Sequence, residues 1–211
     1  MPTVYYISHP DVIKDPAVPV PRWPLSARGR ERMTAMTARP WVGGLGAVYC
    51  SDEQKALDGA AILGGHLGLS PLVRPELGEI DRSSTGFLPE AEHAAAARAL
   101  FERPDESVRG WETARHAQAR IVRAVAAIIA EQGGGGAGEQ GGKGEGADIA
   151  IVAHGAVGVL LMQHLLGEPI TYSRLQPGRD GGHYYSFDAA TRALRHGWVR
   201  IEPDLNSIMG P

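Results

Sequence analysis

The sequence predicts an α/β protein with a mostly parallel central sheet covered by helices on both faces. Three observations carry this. Short apolar runs alternate with helix-length segments along most of the chain. The runs TVYYIS, AVYC and DIAIVA read as buried strands, and segments with helical patterning follow them. The length of 211 residues suits one domain with a sizeable core.

The elements follow in order. Residues 3–8 form the first strand. Residues 28–38 form a helix, with Ser26 as its N-cap and Pro40 as its stop. Residues 47–50 form a short strand, after which Ser51 and Asp52 cap a helix running to Leu67. A loop-rich stretch covers 70–89. Alanine-rich residues 90–101 form the next helix. Residues 112–131 form a longer one, with Ala114, Ala117, Ile121, Val125 and Ile128 on one face. Residues 148–153 form a second strongly buried strand, and 156–166 the helix after it. Two late strands are expected at 184–187 and 194–201.

Glycine is in excess, at 28 of 211 residues, and much of the excess lies in GGGGAGEQGGKGEG. That stretch has no apolar side chain larger than alanine, so it cannot bury surface to offset its ordering entropy. The domain reading is therefore one unit over 1–211 with a flexible glycine-rich insertion at 133–147. The proline-rich segment from Pro10 to Pro24 is expected to be a stiff, extended loop.

Composition removes several classes. A formal net charge of −3 and a pI near 6.2 argue against a general nucleic-acid binder. A single cysteine leaves no intramolecular disulfide and no cysteine-based zinc cluster. No apolar run approaches a membrane span, and MPTVYYISHP lacks the pattern of a signal peptide. A cytoplasmic protein is expected. Its oligomeric state stays open, a dimer being compatible with everything in the sequence.

Ligands of open α/β sheets bind beyond the carboxyl ends of the strands. Here those ends carry Ser8-His9-Pro10, Ser51-Asp52 and His154-Gly155. Two of the eight histidines thus fall where such folds keep their chemistry. A metal hydrolase built on His9, Asp11 and His154 is disfavoured, because these spacings fit no zinc pattern.

Six segments in order resemble the histidine phosphatase superfamily, in its phosphoglycerate-mutase-like branch. YYISHP stands where that family has a strand ending in Arg-His-Gly. PLSARGRERM resembles its Leu-Ser-x-x-Gly helix opening, and VYCSDEQKALDGAAIL its Ser-x-x-x-Arg-Ala segment. PELGEIDR resembles the loop with its acidic proton donor, PDESVRGWETAR its Gly-Glu-Ser segment, and IVAHGAVGVLLMQHLLG its second-histidine strand-turn-helix. The resemblance implies a three-layer α/β/α sandwich. It makes His9 the nucleophile that takes a phosphoryl group, Glu79 the acid that protonates the leaving group, and His154 the transition-state stabiliser. Asp81 is the alternative acid. No metal and no cofactor are implied.

The departures from that family concern phosphate binding. Its arginine before the nucleophile is Ser8 here, the following glycine is Pro10, and its second arginine is Lys55. An ammonium lacks the bidentate fork of a guanidinium, so neither arginine replacement is conservative. Ser8, Lys55 and Arg82 are the expected phosphate holders, with Arg82 chosen to compensate over Arg22, Arg28, Arg109 and Arg179. The expected function is hydrolysis of a small phosphomonoester through a phosphohistidine. The alternative is a catalytically impaired relative that binds a phosphorylated ligand.

Overall fold

The computed structural model describes residues 2–133, 146–178 and 180–203. The core of the glycine-rich insertion, 134–145, and Arg179 lie outside the described residues. Among the described residues six strands form one sheet in the order β3-β2-β4-β1-β5-β6. They are β1 (Thr3–Ser8), β2 (Leu45–Cys50), β3 (Leu72–Val73), β4 (Asp148–Ala153), β5 (His183–Asp188) and β6 (Leu194–Arg200). β1 to β4 run parallel, whereas β5 and β6 add an antiparallel edge. The late strands are thus the part of the sheet that departs from the parallel pattern.

Among the described residues five α-helices cover the sheet: α1 (Ala27–Met36), α2 (Gln54–Leu67), α3 (Glu90–Glu102), α4 (Ala114–Gly133) and α5 (Gly155–Leu165). Alternate strand residues feed two separate cores, which makes the three layers. Ile7, Val48, Cys50 and Val152 pack with Met33, Met36, Ala60 and Leu63 of α1 and α2. Tyr6, Tyr49 and Ile151 pack on the other face with Ile121, Val125 and Ile128 of α4 and with Leu160 of α5. Among the described residues no helix is long and apolar enough to cross a membrane.

Ser26 caps α1 as expected, its Oγ accepting from the Gly29 N–H at 3.0 Å. The helix ends at Met36, ahead of Pro40, which instead opens a 3₁₀ turn (Pro40–Gly44). The expected cap of α2 by Ser51 or Asp52 is replaced: Glu53 is the N-cap residue and makes no side-chain cap bond. The Ser51 hydroxyl has other work, described below. The loop after α2 contains β3 and a 3₁₀ turn at Pro75–Leu77, elements too short to leave a period in the sequence.

The sheet order sets the site. β1 and β4 are neighbours in parallel register, with Ser8 opposite Ala153. Their next residues, His9 and His154, therefore emerge side by side. α5 starts at once after β4 and lies close on β1. A Cβ at Gly158 would come 2.5 Å from the Tyr6 ring, so only glycine allows this approach.

Candidate active site

The His9 backbone is held from both sides. Its N–H donates to Ala153 O at 3.0 Å, and its carbonyl accepts from Gly182 N at 3.1 Å. Gly182 has φ +68°, and its Cα faces the Arg32 guanidinium, where no side chain would fit. The His9 ring nitrogen Nδ1 lies 2.9 Å from Pro10 O. A carbonyl can only accept, so Nδ1 carries the proton and Nε2 keeps its lone pair. Burial, with Lys55 nearby, lowers the His9 pKa to about 4. The ring is neutral at pH 7 and lines the cavity.

His154 sits beside it, with ring centroids 5.2 Å apart in an edge contact. It is fully buried. Its Nε2 lies 2.7 Å from Ser51 Oγ and 3.3 Å from Glu53 Oε1. Burial pulls its pKa well below the usual value, although Glu53 opposes this. Its Nδ1 is buried and has no hydrogen-bond partner among the described residues. The expected phosphoryl ligand is thus paired with internal groups and stands behind the cavity wall.

Glu53 was not foreseen. Burial works to raise its pKa, but His154 and Lys55 outweigh burial and hold it at about 2. One oxygen pairs with Lys55 Nζ, while the other accepts the Glu79 N–H at 2.8 Å. Lys55 is itself buried and donates to Val20 O at 3.1 Å, which ties the proline-rich loop to α2.

Glu79 lies over the first turn of α5. Its carboxylate accepts N–H bonds from Ala156 (3.0 Å), Val157 (3.1 Å) and its neighbour Ile80 (3.0 Å). A helix N-terminus is a favourable place for such a group. Burial nevertheless raises its pKa, the backbone bonds opposing. Asp81, the alternative acid, moves the other way: hydrogen bonds from Ser83 lower its pKa. Arg120 pins this loop, donating to Glu76 O and Gly78 O at 2.8 Å each and to Glu79 O at 3.1 Å. It is anchored in turn by Glu112 at 2.7 Å.

The expected phosphate holders separate. Arg82 lines the cavity and pairs with no carboxylate among the described residues. Arg28 stands near Asp11 at 3.7 Å, and Arg109 pairs with Glu92 at 2.9 Å. Neither they nor Arg22 reach the cavity wall. Ser8 is turned toward β5. Its Oγ accepts from His183 N at 3.2 Å and lies 2.6 Å from Gln176 Oε1, and it is absent from the cavity wall. The hydroxyl knits β1 to β5. Ser8→Ala should therefore cost about 1 kcal/mol in denaturant unfolding and leave KM for p-nitrophenyl phosphate within about twofold.

The cavity measures about 1670 Å³ and opens at the carboxyl ends of the parallel strands. His9, Glu53, Lys55, Glu79 and Arg82 are among its polar lining, and Trp23, Phe87, Phe101, Trp111 and Tyr172 give it aromatic walls. Trp23 and Phe87 meet with ring centroids 5.9 Å apart. The proline-rich loop supplies another wall, as its position after β1 suggests. His183 is buried in β5 and lies off the wall. Among the described residues no group of three or more histidine, cysteine, aspartate or glutamate side chains is arranged to hold a metal ion. Asp11, weighed as a ligand, instead receives Arg32 Nη1 at 2.7 Å.

The sequence profile of the histidine phosphatase superfamily (branch 1) matches residues 20–185. The match begins after β1, so it does not include Ser8-His9-Pro10. No curated protein matches the chain. Among solved structures, a mycobacterial glucosyl-3-phosphoglycerate phosphatase superposes with a TM-score of 0.73 at 22% identity, over 97% of this chain and 100% of that one. Bacillus stearothermophilus YhfR gives a TM-score of 0.72 at 21% identity, over 97% and 98%. The alpha-ribazole phosphatase from Shigella flexneri gives 0.65 at 18% identity, over 95% and 96%.

Proposed function

Because the chain belongs to the histidine phosphatase superfamily, branch 1, we propose that it hydrolyses a small phosphomonoester through a phosphohistidine at His9. The observation that carries this is the His9 tautomer: Nδ1 is committed to Pro10 O, which leaves Nε2 unprotonated on a residue that lines the cavity. Nε2 attacks phosphorus. The N–P bond forms as the P–O bond to the leaving group breaks, and Glu79 gives its proton to the departing oxygen. Water then attacks the phosphohistidine. The N–P bond breaks, Glu79 takes the water proton, and inorganic phosphate leaves.

Arg82 and Lys55 hold the phosphoryl oxygens in this scheme. His154 reaches the phosphoryl group through Nε2 once that nitrogen is released by Glu53. The aromatic walls suit a leaving group with apolar surface. The alternative, a binding protein without turnover, is favoured by one observation: the Lys55 charge is already neutralised by Glu53.

Hydrolysis of p-nitrophenyl phosphate with EDTA present tests the reading. EDTA-resistant turnover, faster than on glycerol phosphate, is the expected result. Binding of phosphate without any turnover would favour the alternative.

The pH profile follows from the same groups. His9 must be unprotonated, so kcat/KM should rise with pH through about 4. Glu79 must be protonated, so kcat/KM should fall as pH rises through a pKa above the ordinary 4.5. Glu79→Gln should remove the alkaline limb. An acid limb at 6.5, the ordinary histidine value, would contradict the assignment of His9.

A further inference from the structure

Glu53 occupies an unusual place for a carboxylate in a site built for anions. Its neighbours are the donors that a phosphoryl group at His9 would use. One oxygen takes the Lys55 ammonium. The other takes the Glu79 N–H at 2.8 Å and stands 3.3 Å from His154 Nε2. Both partner side chains are buried, so these contacts are little screened by solvent. Glu53 lines the same cavity as His9, only two residues ahead of Lys55. The carboxylate thus already receives what an incoming anion needs. Of the cavity's cationic side chains, Lys55 and Arg120 have internal acceptors, whereas Arg82 and Lys14 have none among the described residues.

We propose that Glu53 is an internal counter-anion that competes with the phosphoryl group for Lys55 and His154, and so sets the affinity of the site for phosphate. An ammonium has three N–H donors, and Lys55 commits two of them, to Glu53 and to Val20 O. The third is uncommitted among the described residues. Substrate oxygens engage that donor and Arg82 first, and gain the others as the carboxylate yields. Inorganic phosphate, the product of the proposed reaction, meets the same competition. Glu53 therefore limits product inhibition as well as substrate affinity. The placement of the anion beside His9 rests on the phosphatase reading; the pairing of Glu53 with Lys55 and His154 does not.

The test is binding of inorganic phosphate, measured by titration calorimetry on the full chain. It uses the wild type, Glu53→Gln, Lys55→Met and the double variant. Glu53→Gln removes the charge and should tighten phosphate binding about tenfold or more, which is about 1.4 kcal/mol. Lys55→Met should weaken binding alone, because it removes a phosphate donor and leaves Glu53 uncompensated, and should cancel most of the gain in the double variant. A merely structural role for Glu53 predicts the opposite sign. Equal or weaker binding by folded Glu53→Gln overturns the proposal. If that variant does not fold, Glu53→Asp decides: its shorter side chain should tighten binding, and equal or weaker binding overturns the proposal. Failure of the phosphatase reading looks different. It is an absence of His9-dependent turnover in the wild type, whichever way phosphate binding moves.

Discussion

His9→Ala should abolish hydrolysis of p-nitrophenyl phosphate, by at least about a thousandfold in kcat. No neighbour can take over. His154 Nε2 is held by Ser51 and Glu53, and the ring is fully buried. Lys55 is held in place by Glu53 and Val20 O. The bonds that seat residue 9 are made by its backbone, to Ala153 O and from Gly182 N, and an alanine keeps both. The variant should therefore unfold at nearly the wild-type denaturant midpoint. Loss of turnover in a folded protein, read from steady-state kinetics beside an unfolding curve, separates chemistry from stability. Retention of a tenth of the activity would remove His9 from the nucleophile's role.

Arg32→Ala should lower the unfolding free energy by about 3 kcal/mol or more. The guanidinium of Arg32 is buried beneath the site. It donates to Asp11 Oδ2 at 2.7 Å and to the carbonyls of Gly181 and Gly182 at 3.2 and 3.1 Å, and it pairs with Glu202. Alanine strands two carboxylates and three carbonyls together, since Arg32 Nη1 also donates to Asp180 O at 3.3 Å. Arg32→Lys should recover only part of the loss, because an ammonium cannot reproduce the fork. Urea unfolding of the three proteins measures this. The Gly182 N–H that holds His9 belongs to the same cluster, so kcat should fall as well. An Arg32→Ala protein as stable as wild type would show that the cluster is incidental to the fold.

Much of this was legible in the residues. The strands TVYYIS and DIAIVA were identified with their observed limits, because continuous burial on two faces leaves an unbroken apolar run. The face of α4 appeared at helical spacing, and Ser26 marked the start of α1. The antiparallel edge was not legible: β6 alternates in burial and carries no direction in its pattern. Neighbouring strand ends suggest His9 and His154, the family resemblance adds Glu79 and Lys55, and Arg82 follows from its place three residues after Glu79. The structure gathers His9, Glu79, Lys55 and Arg82 on one cavity. Glu53 was missed because nothing in Asp52-Glu53-Gln54-Lys55 says which acidic side chain turns inward. Ser51 read as a cap because its type suits one, and its bond to His154 spans 103 residues of sequence separation. The phosphate role expected of Ser8 rests on position alone, and its bonds to His183 of the antiparallel β5 leave no trace in the sequence. Arg32 and Arg120 owe their roles to backbone carbonyls, which leave no trace in a sequence.

The most direct test of the mechanism is to trap the covalent intermediate. The protein is mixed with p-nitrophenyl phosphate, quenched in alkali, and the peptide bearing His9 is examined by mass spectrometry. The account predicts a phosphoryl adduct on the His9 imidazole that is lost in acid, absent from His9→Ala, and more abundant in Glu79→Gln. Turnover without any adduct on His9, or an adduct on another side chain, would contradict it.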